Sequence, residues 1–319
     1  MSESTGVASG TSLAGLIGKR VTIRLKDGDG FRDIVGILES SSTLINRKGE
    51  KIDFSREEIA LWREVIPLPD RAGSGAPLSL RIMELEFLSN KTWPAPVTLD
   101  RGQWLYRKAH GISLRANSVL PKGKAPFGEP IQSIEDEINF CIDYYKSAGL
   151  TPTIVTPLPI YRELDEKLES LGWESEISAL FLVRDIDSGQ SPEIKGVKLV
   201  VTTAPTPEWI GVQGDQGIED VMSAFPATYL ALTFENETIA TLRLAVDKDW
   251  AIVTRLFIKD AFRGKGFSKA LLQEASLIAW KQGAIKISLQ VDSSNQVALS
   301  LYSSLGYKIH HRYNYRVLR

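Results

Sequence analysis

The stretch that decides the fold is FIKDAFRGKGFSKALL, residues 257–272. An apolar run typical of a β-strand ends there in a basic turn, and a helical pattern follows. Gly264 and Gly266 alternate in this turn with the cations Arg263 and Lys265. The first N–H groups of a helix lack internal partners and carry partial positive charge, and glycine lets a ligand approach the backbone closely. The stretch therefore predicts a site for a diphosphate at a helix N-terminus.

Two well-known phosphate-binding patterns do not fit this turn. The sequence G-x-x-x-x-G-K-[ST] is absent, and G-x-G-x-x-G fails because Lys269 stands where the third glycine would be. Taken alone, the turn is as consistent with an ordinary strand–helix connection as with a binding site.

Composition restricts the class of protein. The chain has 319 residues, 43% of them hydrophobic and 24% charged, which is typical of a globular protein of two or three domains. The net charge of -1 predicts no general attraction to nucleic acid or to a membrane surface. No apolar run reaches the roughly 18 residues of a membrane span. The start, MSESTGVASGTS, lacks the features of a signal peptide, so we expect a disordered tail and a cytoplasmic protein.

Cysteine and histidine usage argues against a metal site. Cys141 is the only cysteine, and His110, His310 and His311 lack the spacing of metal ligands. Cys141 lies on the apolar face of the helix predicted in SIEDEINFCIDYYKSAGL, so we interpret it as a core residue rather than a nucleophile.

Composition shifts and turn signals divide the chain into segments. Short alternating runs with tight turns predict a small SH3-like β-barrel, and two stretches rich in Pro, Gly and Ser predict linkers. A charge of only about +1 on the barrel makes nucleic acid an unlikely partner, which leaves a scaffold role or a protein partner open. The predicted segments are a tail at 1–15, the barrel at 16–66, a linker at 67–78, an α/β domain at 79–187, a linker at 188–196 and a second α/β domain at 197–319.

The two α/β domains contain a weak internal repeat. YRELDEKLESLGWESEISALFLV and NQVALSLYSSLGYKIHHRYNYRV each read as a helix, Ser-Leu-Gly-aromatic and a strand. The repeat predicts an α/β (α+β) fold made of two tandem units, each with a mixed central sheet. The counterpart of the glycine turn in the first unit is VLPKGKAPFGEP, whose prolines remove N–H groups, so we expect that unit to be degenerate.

The second unit resembles the GNAT superfamily of N-acetyltransferases. Its acetyl-CoA loop, Q/R-x-x-G-x-G/A, is matched at Arg263 and Gly266, while Ser268 replaces the last small residue. The downstream pattern is matched at Asn295, Ala298, Tyr302, Leu305, Gly306 and Tyr307. The N-terminal barrel, LRANSVLP and HHRYNYR resemble an actinobacterial tandem-GNAT group of the N-acetylglutamate synthase type.

This resemblance implies a set of roles. Acetyl-CoA is the donor, and no metal takes part. The backbone of Leu256, Phe257 and Ile258 would pair with the pantetheine arm, and Asn295 would bind near it. Tyr302 would protonate the departing thiolate, which a phenol of pKa ~10 can do at neutral pH, although it also fits as a packed aromatic. The pyrophosphate would be held by Arg263 and by the amides of Gly264, Lys265, Gly266, Phe267 and Ser268.

The acceptor is less well defined. The strand AIVTRLFI carries no carboxylate that could act as a base. Deprotonation at pH 7 costs about 4.6 kcal/mol for a lysine amine but about 1.4 kcal/mol for an α-amine, which favours a small α-amino acceptor such as an amino acid, with glutamate a possibility. Asp292 is the candidate base, although a water chain or an ordinary loop carboxylate fits as well. Arg115 and Asn117 are candidates for binding the acceptor.

Two other functions fit the same sequence. One is a CoA-binding sensor that does not catalyse transfer. The other is a protein lysine acetyltransferase whose barrel recruits the target.

Overall fold

The computed structural model describes residues 12–28, 30–46, 49–64, 78–186, 196–214 and 217–319. Most of the predicted tail and of both predicted linkers lies outside these residues. The chain divides into two compact units, Met1–Ser74 and Gly75–Arg319.

The N-terminal unit is one antiparallel sheet with the strand order β4-β3-β2-β1-β5. Its period-2 pattern predicts the buried face correctly, because Val21, Ile23 and Leu25 alternate into the core. The predicted closed barrel is not found, since β4 and β5 lie at opposite edges and do not pair within the described part. The strands are β1 Arg20–Asp27, β2 Gly30–Leu38, β3 Thr43–Asn46, β4 Lys51–Asp53 and β5 Ile59–Glu64.

The second unit combines seven described helices with eleven described strands. The helices are α1 Leu78–Thr92, α2 Ile134–Lys146, α3 Arg162–Ser170, α4 Pro207–Gln213, α5 Glu219–Ser223, α6 Phe267–Lys281 and α7 Gln296–Ser304. The strands are β6 Val97–Arg101, β7 Trp104–Lys108, β8 Leu120–Pro121, β9 Thr153–Leu158, β10 Glu174–Asp185, β11 Lys198–Thr202, β12 Ala227–Phe234, β13 Glu237–Asp247, β14 Trp250–Ile258, β15 Lys286–Asp292 and β16 Lys308–Val317. Among the described residues, no helix has the length and apolar character needed to cross a membrane.

One mixed sheet of eight strands runs through this unit in the order β11-β12-β13-β14-β15-β10-β16-β9. Among the described strands, only β14 and β15 pair in parallel within it. A smaller sheet, β6-β7-β8, meets it through a bridge between Val119 and Ile154. The sequence leaves open whether the two repeats share one continuous sheet, and the structure joins strands of both repeats into one.

The sheet is continuous because the two repeats exchange their last strands. The repeats correspond to α2–β9–α3–β10 and α6–β15–α7–β16. Strand β10 of the first repeat lies between β15 and β16, and β16 of the second lies between β10 and β9. Ala179 of β10 is thus opposite Asp292 on one side and Tyr313 on the other.

Most predicted elements are present, with three differences. The stretch YLALTFENETIATLRLAVDKDWAIVTRLFI predicts a meander with turns near Glu235-Asn236 and Asp247-Lys248-Asp249. Strands β12–β14 form this meander, and Glu235, Asn236 and Lys248 adopt positive φ. Cys141 is buried in the core, also as predicted. The stretch ISLRANSVLP reads locally as a strand, but it forms a 3-10 turn, Arg115–Asn117, followed by the two-residue β8. Strand β11 and the short helices α4 and α5 are not predicted.

Candidate active site

The site begins where the parallel strands β14 and β15 separate. They pair from Trp250 opposite Lys286 to Val253 opposite Leu289, and no further. The register of β14 on β13 shifts just beyond this point, and Arg255 there adopts a φ of +57°. A β-bulge of this kind bends the strand that carries it. The bulge therefore turns β14 away from β15 and opens a cleft between them.

The carbonyl of Arg255 is held in place by a helix that the sequence does not predict. Gln213, the last residue of α4, donates from Nε2 to the Arg255 carbonyl oxygen at 3.1 Å and also to Thr241 Oγ1. Backbone strain in a non-glycine residue persists only where its surroundings impose it, and such strain is typical of functional sites. The contacts of Gln213 therefore hold the bulge in place.

One cavity of about 360 Å³ lies in the cleft. Leu256 and Phe257, two of the residues predicted to contact the pantetheine arm, line it, and Tyr302 reaches it from α7. Ile258 is buried opposite Ala240 and is not among the lining residues. Beyond Val253 the edge of β14 that faces β15 has no strand partner in the described part of the chain. Its backbone is thus available to a ligand that lies along it.

The glycine turn connects β14 to α6. Gly264 has a φ of +75° and Gly266 a φ of +83°, and Gly266 is the N-cap of α6. No described side chain caps this helix, and its first turn contains no acidic residue. A Cβ at either glycine would contact none of the described atoms within 4 Å, so these glycines are needed for their backbone conformation and for approach from outside. The uncapped N–H groups and open surface fit a diphosphate.

The other predicted residues of the turn occupy varied positions. Arg263 is exposed, donates from Nε to the Ile258 carbonyl at 3.2 Å and pairs with Asp260 at 2.8 Å. Lys265 lies 4.9 Å from the centre of the Phe262 ring. Phe267 packs against the core, and Ser268 lies in the first turn of α6 without capping it.

Helix α7 carries two further predicted residues. Asn295 is its N-cap and accepts a hydrogen bond from the Ala298 amide at 3.0 Å. Tyr302 is buried on the cleft side and packs edge-to-face on Tyr307, with 5.8 Å between ring centres. Burial raises the pKa of Tyr302 to about 12, so its hydroxyl stays protonated at neutral pH.

A second cavity, of about 370 Å³, adjoins the first. Val253, Thr254, Arg255 and Gln290 line both cavities, so the two meet where β14 and β15 separate. Both repeats contribute to the second cavity, which is lined also by Trp93, Ile112, Ser113, Leu114, Arg115, Ile177, Ala179, Val291, Asp292, Tyr313 and Tyr315.

The charged residues of the second cavity are Arg115, Arg255 and Asp292. Asp292 accepts hydrogen bonds from the amide of Ser294 at 2.8 Å and from its hydroxyl at 2.6 Å. The Ser294 side chain and backbone bonds lower the pKa of Asp292, so the carboxylate is ionised and a weak base. Two guanidinium groups against one carboxylate give the cavity a net positive charge.

Asn117 has a structural role. Its Oδ1 accepts from the Ala109 amide at 2.8 Å, and its Nδ2 donates to the Ser113 carbonyl at 2.9 Å. These bonds fix the backbone on both sides of Arg115. Asn117 is buried and is not among the residues that line the cavity, unlike Arg115.

Several lining residues are missed by sequence reasoning. Thr254 and Arg255 leave a signal, a polar pair that interrupts the apolar strand AIVTRLFI. No local sequence signal marks Trp93 or Gln290, because their roles depend on the packing of α1 and on the position of β10. Among the described residues, no group of three or more side chains could hold a metal ion.

The counterpart of the glycine turn in the first repeat differs from it in structure and in charge. Tyr161 donates to the Gly123 carbonyl at 2.6 Å, and Trp104 donates to the Phe127 carbonyl at 3.0 Å, which hold the loop closed. Ser133 caps α2 by accepting from the Asp136 amide. The first turn of α2 also carries three acidic residues, which repel an anion.

Comparison with known proteins gives a family match and several relatives. Residues 80–316 match the family described as "Probable histone acetyltransferase Rv0428c C-terminal". The chain is 24% identical over 316 residues to the probable histone acetyltransferase Rv0428c of Mycobacterium tuberculosis, covering 94% of each chain. It is 23% identical over 252 residues to an uncharacterized N-acetyltransferase, YobR, of Bacillus subtilis, covering 75% of this chain and 99% of that protein.

Two solved structures share the fold. A GCN5-related N-acetyltransferase from Kribbella flavida superposes with a TM-score of 0.59 at 13% identity, over 74% of this chain and 95% of that one. A functionally unknown protein from Staphylococcus epidermidis superposes with a TM-score of 0.54 at 10% identity, over 72% of this chain and 96% of that one.

Proposed function

The chain belongs to the Rv0428c C-terminal family and is an acyltransferase of the GNAT type, and we propose that it transfers an acetyl group from acetyl-CoA to the primary amine of a small α-amino acid. The observation that carries the proposal is the meeting of two cavities at the opening of β14 and β15. One adjoins the unpaired edge of β14, and the other is positively charged.

We assign the donor to residues 197–319. Leu256 and Phe257 offer an unpaired strand edge to the pantetheine arm, and Gly264 and Gly266 leave the N-terminus of α6 open to the pyrophosphate. Arg263 and Lys265 add positive charge beside it. Acetyl-CoA supplies the acetyl thioester when bound.

We assign the acceptor to the second cavity, to which residues 79–187 contribute Arg115, Trp93 and part of β10. Arg115 and Arg255 would hold the carboxylate of an amino acid, because a guanidinium group recognises a planar carboxylate well. A dicarboxylic amino acid such as glutamate is one member of this class.

The residues of the site suit direct attack by an amine that needs no strong base. Asp292 is a poor base because its pKa is lowered, and an α-amine is already partly neutral near pH 8. Tyr302 keeps its proton and would deliver it to the sulfur as the thioester bond breaks.

The experiment is an acetyl-CoA assay that measures release of free thiol with a panel of α-amino acids, polyamines and lysine peptides. We expect turnover with α-amino acids. Binding of acetyl-CoA without thiol release above background for every acceptor would rule out catalysis and support the sensor function instead.

A protein acceptor is the second candidate, because the family description and one relative name a histone acetyltransferase. The charges of the second cavity oppose it, since Arg115 and Arg255 repel a lysine ammonium group. The N-terminal unit, which we propose to be a divergent SH3-like module, would then recruit the target. Turnover of lysine peptides that exceeds that of amino acids, and that disappears on deletion of residues 1–74, would support this second candidate.

A further inference from the structure

Two polar side chains stand at the point where the cavities meet. Thr254 and Gln290 are the first residues beyond the last pair of β14 and β15, Val253 with Leu289. Successive side chains of a strand point to opposite faces of a sheet. Val253 and Leu289 are buried in the core, so Thr254 and Gln290 project to the other face, which α1 covers. Both residues line both cavities.

Each of these side chains presents a buried oxygen to the opening. Thr254 Oγ1 and Gln290 Oε1 are buried, and neither has a hydrogen-bond partner among the described residues. A buried polar atom without a partner destabilises the folded chain, so each such atom in a native protein calls for an explanation such as a bound ligand group or water. Two of them on facing strands, at the junction of two cavities, indicate a shared ligand group.

The orientation of the Gln290 amide is fixed from the other side. Its Nε2 donates to Ser89 Oγ of α1 at 2.8 Å, and Ser89 is itself buried. Since the nitrogen is engaged by α1, the oxygen is the atom left at the opening. The ligand group must therefore be a hydrogen-bond donor.

A neutral primary amine matches this arrangement, because it carries two N–H groups and one lone pair. We propose that Gln290 Oε1 and Thr254 Oγ1 bind the two N–H groups of the acceptor amine, which directs its lone pair toward the cofactor-side cavity. This inference rests on the proposed function. As the lone pair forms the new C–N bond, the C–S bond breaks, the sulfur gains a proton and the nitrogen loses one.

Such a site selects for primary amines. An N-methylated amine has one N–H group and leaves one of the two oxygens unpaired, so it should bind and react poorly. Arg115 and Arg255 would hold the carboxylate end of the same acceptor, while Thr254 and Gln290 hold its amine end.

The test compares glycine, L-alanine and L-glutamate with their N-methyl derivatives, in wild type and in four variants. Gln290→Leu removes the acceptor oxygen, Thr254→Val removes the hydroxyl at nearly constant shape, and Ser89→Ala releases the Gln290 amide. Gln282→Leu is the matched control, because Gln282 is an exposed glutamine at the far end of α6. Circular dichroism and thermal unfolding check that each variant is folded.

We expect Gln290→Leu to lower kcat/KM for the primary amines by about 10- to 100-fold and Ser89→Ala to lower it by less. The preference for primary over N-methyl amines should shrink at least tenfold in Gln290→Leu and Thr254→Val and stay unchanged in Gln282→Leu. If Gln290→Leu and Thr254→Val are folded and keep the wild-type preference for primary over N-methyl amines, the inference is overturned. Turnover by the wild-type protein would still support the proposed function in that case.

Binding provides a readout that does not need turnover. Calorimetry at pH 9 with CoA present measures the affinity of the wild-type protein for each amino acid. An amino acid with a primary amine should bind at least tenfold more tightly than its N-methyl derivative. If the wild-type protein binds acetyl-CoA but turns over no acceptor, the proposed function fails. The binding preference for primary over N-methyl amines still tests the inference that Thr254 and Gln290 bind the amine. Equal affinities within every pair, or no binding of any amino acid, would overturn it.

Discussion

Arg316 in β16 donates two hydrogen bonds to the carboxylate of Asp165 in α3, from Nε to Oδ1 at 2.9 Å and from Nη2 to Oδ2 at 2.7 Å. Both side chains are buried, and 151 positions separate them in the chain. Thr156 and Asn314 donate to the same carboxylate at 2.6 and 3.0 Å. The last strand of the second repeat is thereby fixed to a helix of the first.

Replacing Asp165 with Asn should destabilise the fold. The change leaves the Arg316 guanidinium buried with only part of its counter-charge, so we expect the free energy of unfolding to fall by about 3 kcal/mol. Urea denaturation measures this loss. The control is Glu39→Gln in an exposed ion pair with Lys51, where the expected change is below about 1 kcal/mol. Equal effects of the two changes would contradict the anchoring role of Asp165.

The same pair predicts a dependence on pH. Burial by itself raises the pKa of Asp165, but the hydrogen bonds from Arg316, Thr156 and Asn314 outweigh burial, and the pKa is lowered. A carboxyl whose pKa is lower in the folded state stabilises it fully above its unfolded pKa of about 3.9, and this contribution is lost as the pH falls through the folded value. The stability difference between wild type and Asp165→Asn should therefore be constant from pH 7 to about 5 and shrink below about 4. A difference that grows on acidification would exclude this explanation.

Tyr302→Phe should slow catalysis without affecting donor binding. Loss of the hydroxyl removes the proton source, so we expect kcat to fall by roughly 10- to 1000-fold while the Kd for CoA changes little. Because burial raises the pKa of Tyr302 to about 12, wild type should show no alkaline loss of kcat from this group below about pH 11. Tyr307→Phe is the control, since that hydroxyl is also buried and has no hydrogen-bond partner in the described residues. Equal activity of the two variants would remove Tyr302 from the mechanism.

Gly266→Ala should weaken CoA binding directly, in addition to destabilising the fold. Gly283, at the other end of α6, also has positive φ, and a Cβ added there would meet only open space, so Gly283→Ala is a matched control. We expect both changes to destabilise the protein by about 1 kcal/mol, as left-handed conformations disfavour alanine. Only Gly266→Ala should raise the Kd for CoA, by about tenfold, in a calorimetric titration. Equal Kd values for both variants would place the pyrophosphate elsewhere.

Arg115→Leu should raise the KM for amino acids by about 10- to 100-fold, because it removes a charged hydrogen-bond donor from the second cavity. Simple alkylamines lack a carboxylate, so their weak turnover should change little or improve. Arg312→Leu, at an exposed position of β16, is the control. Steady-state kinetics with both acceptor classes checks the result, and an equal loss for both classes would contradict carboxylate binding by Arg115.

Local patterns predict much of the second repeat. The glycines of the turn, the meander and the helices α6 and α7 follow from turn chemistry and hydrophobic periodicity, which depend on neighbours in the chain. Tyr302 and Asn295 are singled out by the resemblance to the GNAT pattern, and the roles of the predicted site residues remain predictions.

The rest depends on distant contacts. The alternation in β10 predicts a strand but not its partners, and nothing local indicates that β15 and β16 will pair on either side of it. Thr254 and Gln290 lie at the junction of the two cavities, and Trp93 lines the second cavity, only because this exchange and the bulge at Arg255 bring them together. The position of Arg115 in the second cavity likewise depends on a turn that reads locally as a strand.

The exchange of β10 and β16 has a consequence for synthesis on the ribosome. Strand β10 emerges about a hundred residues before β15 and more than a hundred before β16. Its backbone N–H and C=O groups therefore lack strand partners until both of these strands have been synthesised. The first repeat cannot complete its part of the sheet until β16 has been made. A message cut short within the codons for β16 would therefore remove an interior strand of the whole sheet, and the product should be recognised by proteases as unfolded.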